Sequence, residues 1–157
     1  MTEFNVQNEI KINENEIFPD VTIDIFNRFI MSGDLNSVLN KITWIKCDII
    51  FIDYRYFKLF ASNETYELVI NRVKNNLNII LTNYDTFTVN ACMKSLSITD
   101  AEKHRHFLCN ISKIFKEEYP DKLSQCVIYN APYIFARVFD IIRVFVDKPT
   151  QKKIIMI

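Results

Sequence analysis

Four short runs rich in β-branched and aromatic residues punctuate this chain, and their spacing limits what it can fold into. They are Asp48-Ile-Ile-Phe-Ile-Asp53, Thr86-Phe-Thr-Val-Asn90, Cys126-Val-Ile-Tyr129 and Ile154-Ile-Met-Ile157. Each reads as a buried strand. The stretches between them carry helical periodicity. Leu68, Val69, Val73, Leu77 and Ile80 recur at helical steps before the second run, and Phe107, Leu108, Ile111, Ile114 and Phe115 form one stripe before the third. Pro132 opens a further helix that runs to about Val146, ended by Pro149. Strands separated by single helices predict an α/β domain with a mostly parallel sheet and crossover helices.

The N-terminal part reads differently. Residues 1–19 are polar and predict a mobile tail. Residues 20–47 read as a short helical segment, with Val21, Ile25, Phe26 and Phe29 before the break at Ser32-Gly33-Asp34 and Leu35, Val38, Leu39 and Ile42 after it. Asp34 is placed to cap the second of these helices. Residues 48–157 then form the compact domain. Thr99-Asp-Ala-Glu102 has the pattern of a capping box, which predicts a helix from Thr99 to Pro120.

Composition removes several classes of function. Gly33 is the only glycine, so the glycine-rich loops that cradle phosphates or dinucleotides cannot exist in their usual form. The formal net charge is zero, without the footprint of a nucleic-acid binder. No apolar run reaches the roughly 18 residues of a membrane span, and no leader pattern opens the chain. Cys47, Cys92, Cys109 and Cys126 form no C-x-x-C pair and are expected as buried, reduced thiols of a cytoplasmic protein. His104 and His106 lie two apart on a helix and point apart, so they make a poor metal pair. With Lys103 and Arg105 they read as a solvated basic face, or as a contact for anionic headgroups. No nucleophile stands in a recognisable elbow and no carboxylates pair. The chain is therefore expected not to be an enzyme, with no cofactor and no metal.

One segment is more specific. Residues 119–154 contain Tyr119-Pro-Asp-Lys-Leu123, then Tyr129-Asn-Ala-Pro-Tyr-Ile-Phe135, then Val144-Phe-Val-Asp147, then Thr150-Gln-Lys-Lys-Ile154. In order and spacing this set resembles the CRAL-TRIO lipid-binding family, most closely its phosphatidylinositol/phosphatidylcholine transfer branch. Physical roles for the same residues agree. Tyr119 and Pro120 end a helix and turn the chain, while Asn130 and Pro132 form a strand-to-helix corner. The resemblance implies a lipid pocket covered by a gate helix, with Tyr133, Phe135, Val138, Phe139, Ile142 and Phe145 lining the pocket or gate. The residue pattern alone equally allows a helix buried on both sides. The resemblance also implies a headgroup site at Ser97 and Thr99, residues that otherwise read as a loop residue and a helix cap. Lys148, Lys152 and Lys153 beside the apolar helix read either as a membrane contact or as ordinary surface charge.

The expected partners are thus a phospholipid or other hydrophobic small molecule and, transiently, a membrane surface met from the cytoplasm. The chain departs from the family pattern: Asn90 stands in place of an acidic residue, the strand before Ser97 carries no glycine, and the chain stops on the strand after the gate. It is expected to be a compact, C-terminally truncated member. That layout also resembles the branch found beside RhoGAP modules, which implies a homodimer or a small-GTPase-type partner as the alternative.

Overall fold

The computed structural model describes residues 17–157. Helices α1 (Ile23–Met31) and α2 (Leu35–Ile42) lead into β1 (Thr43–Lys46), β2 (Ile49–Asp53), α3 (Tyr54–Phe60), α4 (Tyr66–Asn83) and β3 (Phe87–Cys92). Then come α5 (Ile98–Lys103), α6 (Arg105–Glu118), β4 (Leu123–Tyr129), α7 (Phe135–Ile142), a 3-10 turn (Arg143–Phe145), α8 (Lys148–Gln151) and β5 (Ile154–Met156). Gly33, at φ 73, turns the chain between α1 and α2 in a left-handed conformation. Asp34 caps α2 as expected, accepting from Ser37 N–H.

The five strands stand in the order β1-β2-β3-β4-β5. β2 to β5 are parallel, with Ile50 opposite Val89 and Val89 opposite Cys126. The α/β, mostly parallel architecture read from the sequence is the observed one. β1 is an addition to it: the expected helical segment 20–47 ends at Ile42, and Thr43–Lys46 pairs antiparallel with β2. Cys47 takes φ 54 at the first position of the two-residue hairpin turn, a left-handed conformation that glycine or asparagine usually supplies. Cys47 is exposed, contrary to the expected burial, Cys109 and Cys126 are partly buried, and Cys92 is buried.

Strands that step steadily across the sheet through right-handed crossovers place their helices on one face. Accordingly Ile50, Val89, Ala91 and Ile128 share a core with Val73, Leu77 and Ile80 of α4 and with Phe135, Val138 and Phe139 of α7. The other face carries Phe51, Cys92, Val127 and Tyr129, and the described apolar residues packed there include Ile17 and Phe18. Phe18 was expected in the polar tail. It is 2% exposed, its ring 5.9 Å from Trp44, 6.0 Å from Phe51 and 5.4 Å from Tyr129. The tail therefore does not extend to residue 19; its first sixteen residues lie outside the described ones.

Candidate functional site

The C-terminal ends of parallel strands are where open α/β sheets place ligands, and here polar side chains gather there. Asp53 ends β2 and caps α3, accepting from Arg55 N–H. Its carboxylate is 1% exposed and pairs with the Arg55 guanidinium at 2.9 Å; Arg55 also donates to Pro19 O at 2.8 Å. After β3 the chain turns through Ser95, at φ 67, whose hydroxyl accepts from Lys58 Nζ at 2.8 Å. Ser97 then caps α5 by accepting from Asp100 N–H.

This corrects the capping box. The cap is Ser97, two residues before the expected Thr99, and Thr99 is an exposed residue of the first turn. Glu102 does not reach back to Thr99; it pairs with Arg105 at 2.7 Å. Asp100 instead receives the Tyr54 hydroxyl at 2.6 Å. Burial pushes the Asp100 carboxyl up, but the Tyr54 and Ser97 hydrogen bonds, with His104 and Lys58 nearby, hold it below its ordinary value. Burial and the same hydrogen bond push the Tyr54 phenol far up.

The expected single helix from Thr99 to Pro120 is two helices meeting at His104. His104 is not on a solvated face. It is buried, with Nδ1 2.6 Å from the Tyr66 hydroxyl oxygen, while His106 is exposed as expected. Tyr119 ends α6 as a buried ring against Phe87 and donates its hydroxyl to Asn78 at 3.0 Å, with Pro120 following at the surface.

The corner after β4 is structural. Asn130 sits at φ 55, a region its short polar side chain tolerates, and its Nδ2 lies 3.6 Å from Cys92 Sγ. Pro132 stands before the helix rather than in its first turn: its carbonyl accepts from Phe135 N–H, and α7 begins at Phe135. The helix ends at Ile142 and tightens into the 3-10 turn instead of continuing to Val146. Phe135, Val138 and Phe139 face the core, with Phe135 and Phe139 stacked at 6.4 Å. Tyr133 does not join them: it is 96% exposed, and Val144 is 73% exposed. The side chains of Ile142 and Phe145 lie outside the described ones. Lys148 and Lys152 are exposed. Lys153 is half-buried, its Nζ donating to Leu123 O at 2.7 Å, so it braces β4 rather than reaching outward. A cavity of about 190 Å³ opens among Phe87, Phe115, Tyr119, Leu123, Val146 and Lys153.

Residues 61–157 match the family model described as CRAL/TRIO domain. The chain belongs to this family. The SEC14 cytosolic factor of Yarrowia lipolytica (strain CLIB 122 / E 150) is 34% identical over 62 residues, 40% of this chain and 13% of that protein. The Sec14 cytosolic factor of Schizosaccharomyces pombe (strain 972 / ATCC 24843) is 31% identical over 62 residues, 40% of this chain and 22% of that protein. These stretches are well short of the relatives' full length. A structure titled "Crystal structure of Sfh5" superposes with a TM-score of 0.65 at 19% identity, covering 76% of this chain and 50% of that one, which shows a shared fold. The CRAL/TRIO match takes in β3 to β5 with their crossovers, and so both the Ser97 turn and α7.

Sequence reasoning missed the Tyr54–Asp100 and Tyr66–His104 pairs. Among the described residues no three His, Cys, Asp or Glu side chains are grouped to hold a metal ion, and no helix is long and apolar enough to cross a membrane.

Proposed function

We propose that this CRAL/TRIO domain binds a phospholipid or another hydrophobic molecule in an apolar pocket that α7 covers, and that it exchanges this ligand with a membrane on the cytosolic side. The observation that carries the reading is the two-sided character of the α7 segment. Its inner residues Phe135, Val138 and Phe139 are buried, while Tyr133 and Val144 at its two ends are exposed, as are Arg137, the Asp140–Arg143 ion pair and Lys148. An amphipathic outer face of this kind suits a bilayer interface, where aromatic rings and cations lie at the headgroup level.

The packing of α7 sets the mechanism. The 190 Å³ cavity is lined from α6, α8 and the chain beside them and by no residue of α7, so it is not the space beneath that helix. Phe135, Val138 and Phe139 are packed into the core there, so an acyl chain enters only as α7 lifts and these side chains give up their contacts. Each methylene moved into the apolar interior contributes about 0.8 kcal/mol, which offsets departure from the bilayer when the pocket is equally apolar. Ser97 and Thr99 are proposed as headgroup contacts, with the Thr99 hydroxyl the more available because Ser97 already caps α5. Both Sec14 relatives are named as cytosolic factors, which supports the location.

The experiment is native mass spectrometry of the protein purified from cells, followed by lipid extraction. A stoichiometric lipid is expected. An empty protein that also takes nothing from mixed liposomes removes the pocket reading. The tight seating of Phe139 favours a second reading in that event: a lipid-free interaction module that binds a second copy or a small-GTPase-type partner. Membrane contact has its own check. Replacing Tyr133 and Val144 together by serine is expected to weaken sedimentation with anionic vesicles several-fold and to leave the melting temperature unchanged; equal sedimentation refutes contact through α7.

A further inference from the structure

The chain has two histidines, and they stand in opposite surroundings. His106 is exposed, whereas His104 is 3% exposed and sits where α5 ends and α6 begins. Tyr66 of α4 meets it through the 2.6 Å hydrogen bond and an edge-to-face ring contact at 5.7 Å. Phe57 of α3 meets it edge-on at 5.1 Å, and Phe107 of α6 packs against both of these rings. The charged groups near it are few. On α5, Asp100 favours the imidazolium and Lys103 opposes it. On α3, Lys58 is held on Ser95, and Tyr54 occupies the Asp100 carboxylate. α7 keeps Arg137 and Asp140 at its exposed side.

We propose that His104 is an acid-sensitive latch that holds the α5–α6 hinge on α3 and α4, and that its protonation frees the hinge and with it the packing of α5 on α7. In the neutral ring one nitrogen accepts and the other donates. The imidazolium only donates, so a Tyr66 hydroxyl that gives its proton to Nδ1 must turn to accept from it instead, and a full charge is left among aromatic rings. The charge is relieved when the ring swings into water. The backbone allows it, because α5 closes with His104 N–H on Asp100 O and α6 opens with Leu108 N–H on His104 O, so His104 is the one residue between the two helices, which the exposed Glu102–Arg105 ion pair also bridges. α5 and α6 both pack on α7, so the latch holds the partners of the covering helix. Burial first, with Lys103 after it, lowers the His104 value from 6.5. A depressed value means the latch is closed above the unfolded value and opens as pH falls through the folded one.

Hydrogen exchange of the full chain at about pH 7.5 and about pH 5, corrected for intrinsic rates, tests the latch. Residues 98–108 and 135–142 are expected to exchange several-fold faster at the acid pH, with the β2–β4 amides unchanged. H104Q offers Tyr66 an amide oxygen and cannot titrate, so the acid response is expected to vanish in it. The same response in H104Q, or uniform acceleration across the sheet, overturns the proposal. So does a wild-type NMR titration in which His104 titrates at or above the ordinary imidazole value, a test that needs no variant. Ligand release rests on the pocket reading and is read separately: α5 and α7 opening in acid while co-purified lipid stays bound supports the latch and removes the pocket from beneath α7.

Discussion

The polar pairs near the sheet's C-terminal edge show how single side chains set the behaviour of this domain. Tyr54 is buried and gives its hydroxyl to Asp100. Tyr54→Phe keeps the ring and removes that donor, so the carboxylate loses its shortest hydrogen bond. The expected cost is about 1–3 kcal/mol at neutral pH, since hydrogen bonds to charged groups are at the strong end. The pH dependence follows from the sign of the shift. A carboxyl held below 3.8 in the folded state contributes stability above that value and loses it as pH falls through the folded one. Urea titrations from neutral to acid pH are therefore expected to converge for wild type and Tyr54→Phe at the acid end; a gap that is the same at every pH refutes the charge-linked role. None of this was legible in the sequence. Tyr54 and Asp100 are 46 positions apart, and Tyr66 and His104 are 38 apart. Periodicity reports which side of an element a residue occupies, not which distant residue it meets.

Elements were legible where one signal dominated and were misread where two competed. The four β-branched runs contained β2, most of β3, the end of β4, and β5, because a short apolar run between turn residues has few other solutions. β1 was hidden because Thr43-Trp-Ile-Lys46 continues the helical spacing of α2 and the hairpin turn lacks Asn or Gly. α3 was hidden because its seven residues hold four aromatic rings with no clean polar side. At α5 two hydroxyls two residues apart offered competing caps, and the Glu102 signal favoured the wrong one because Glu102 bonds to Arg105 instead. That outcome is testable. Ser97→Ala is expected to cost about 1 kcal/mol, as N-cap removal does, and Thr99→Ala to stay within about 0.5 kcal/mol, as exposed substitutions do. Denaturant midpoints decide it, and the reverse order would restore the Thr99 cap. If Thr99→Ala still impairs lipid binding, its hydroxyl serves the ligand and not the helix.

For the whole molecule, the consequence of the strand order outruns what any single element shows. Parallel strands laid down in one direction put the helices on one face, and the opposite face still presents Phe51, Val127 and Tyr129. Burying such rings stabilises the fold only if something apolar lies on them, and Phe18 does so, with Arg55 tying the neighbouring Pro19 carbonyl to the Asp53 carboxylate. The tail reading failed here because the pair Ile17-Phe18 between an acidic stretch and a proline carries no periodic signal. Its importance comes from the uncovered face that topology creates. Phe18→Ala is therefore expected to behave as a core truncation and not as a change in a tail, costing about 3–5 kcal/mol in denaturant unfolding. The loss should be shared by the whole cooperative unit, because Phe51 and Tyr129 lie on β2 and β4, on either side of β3. Trp44, the only tryptophan, lies 5.9 Å from the Phe18 ring and reports the same transition by fluorescence. A loss below about 1 kcal/mol, typical of surface positions, would mean that this face keeps its rings dry without Phe18.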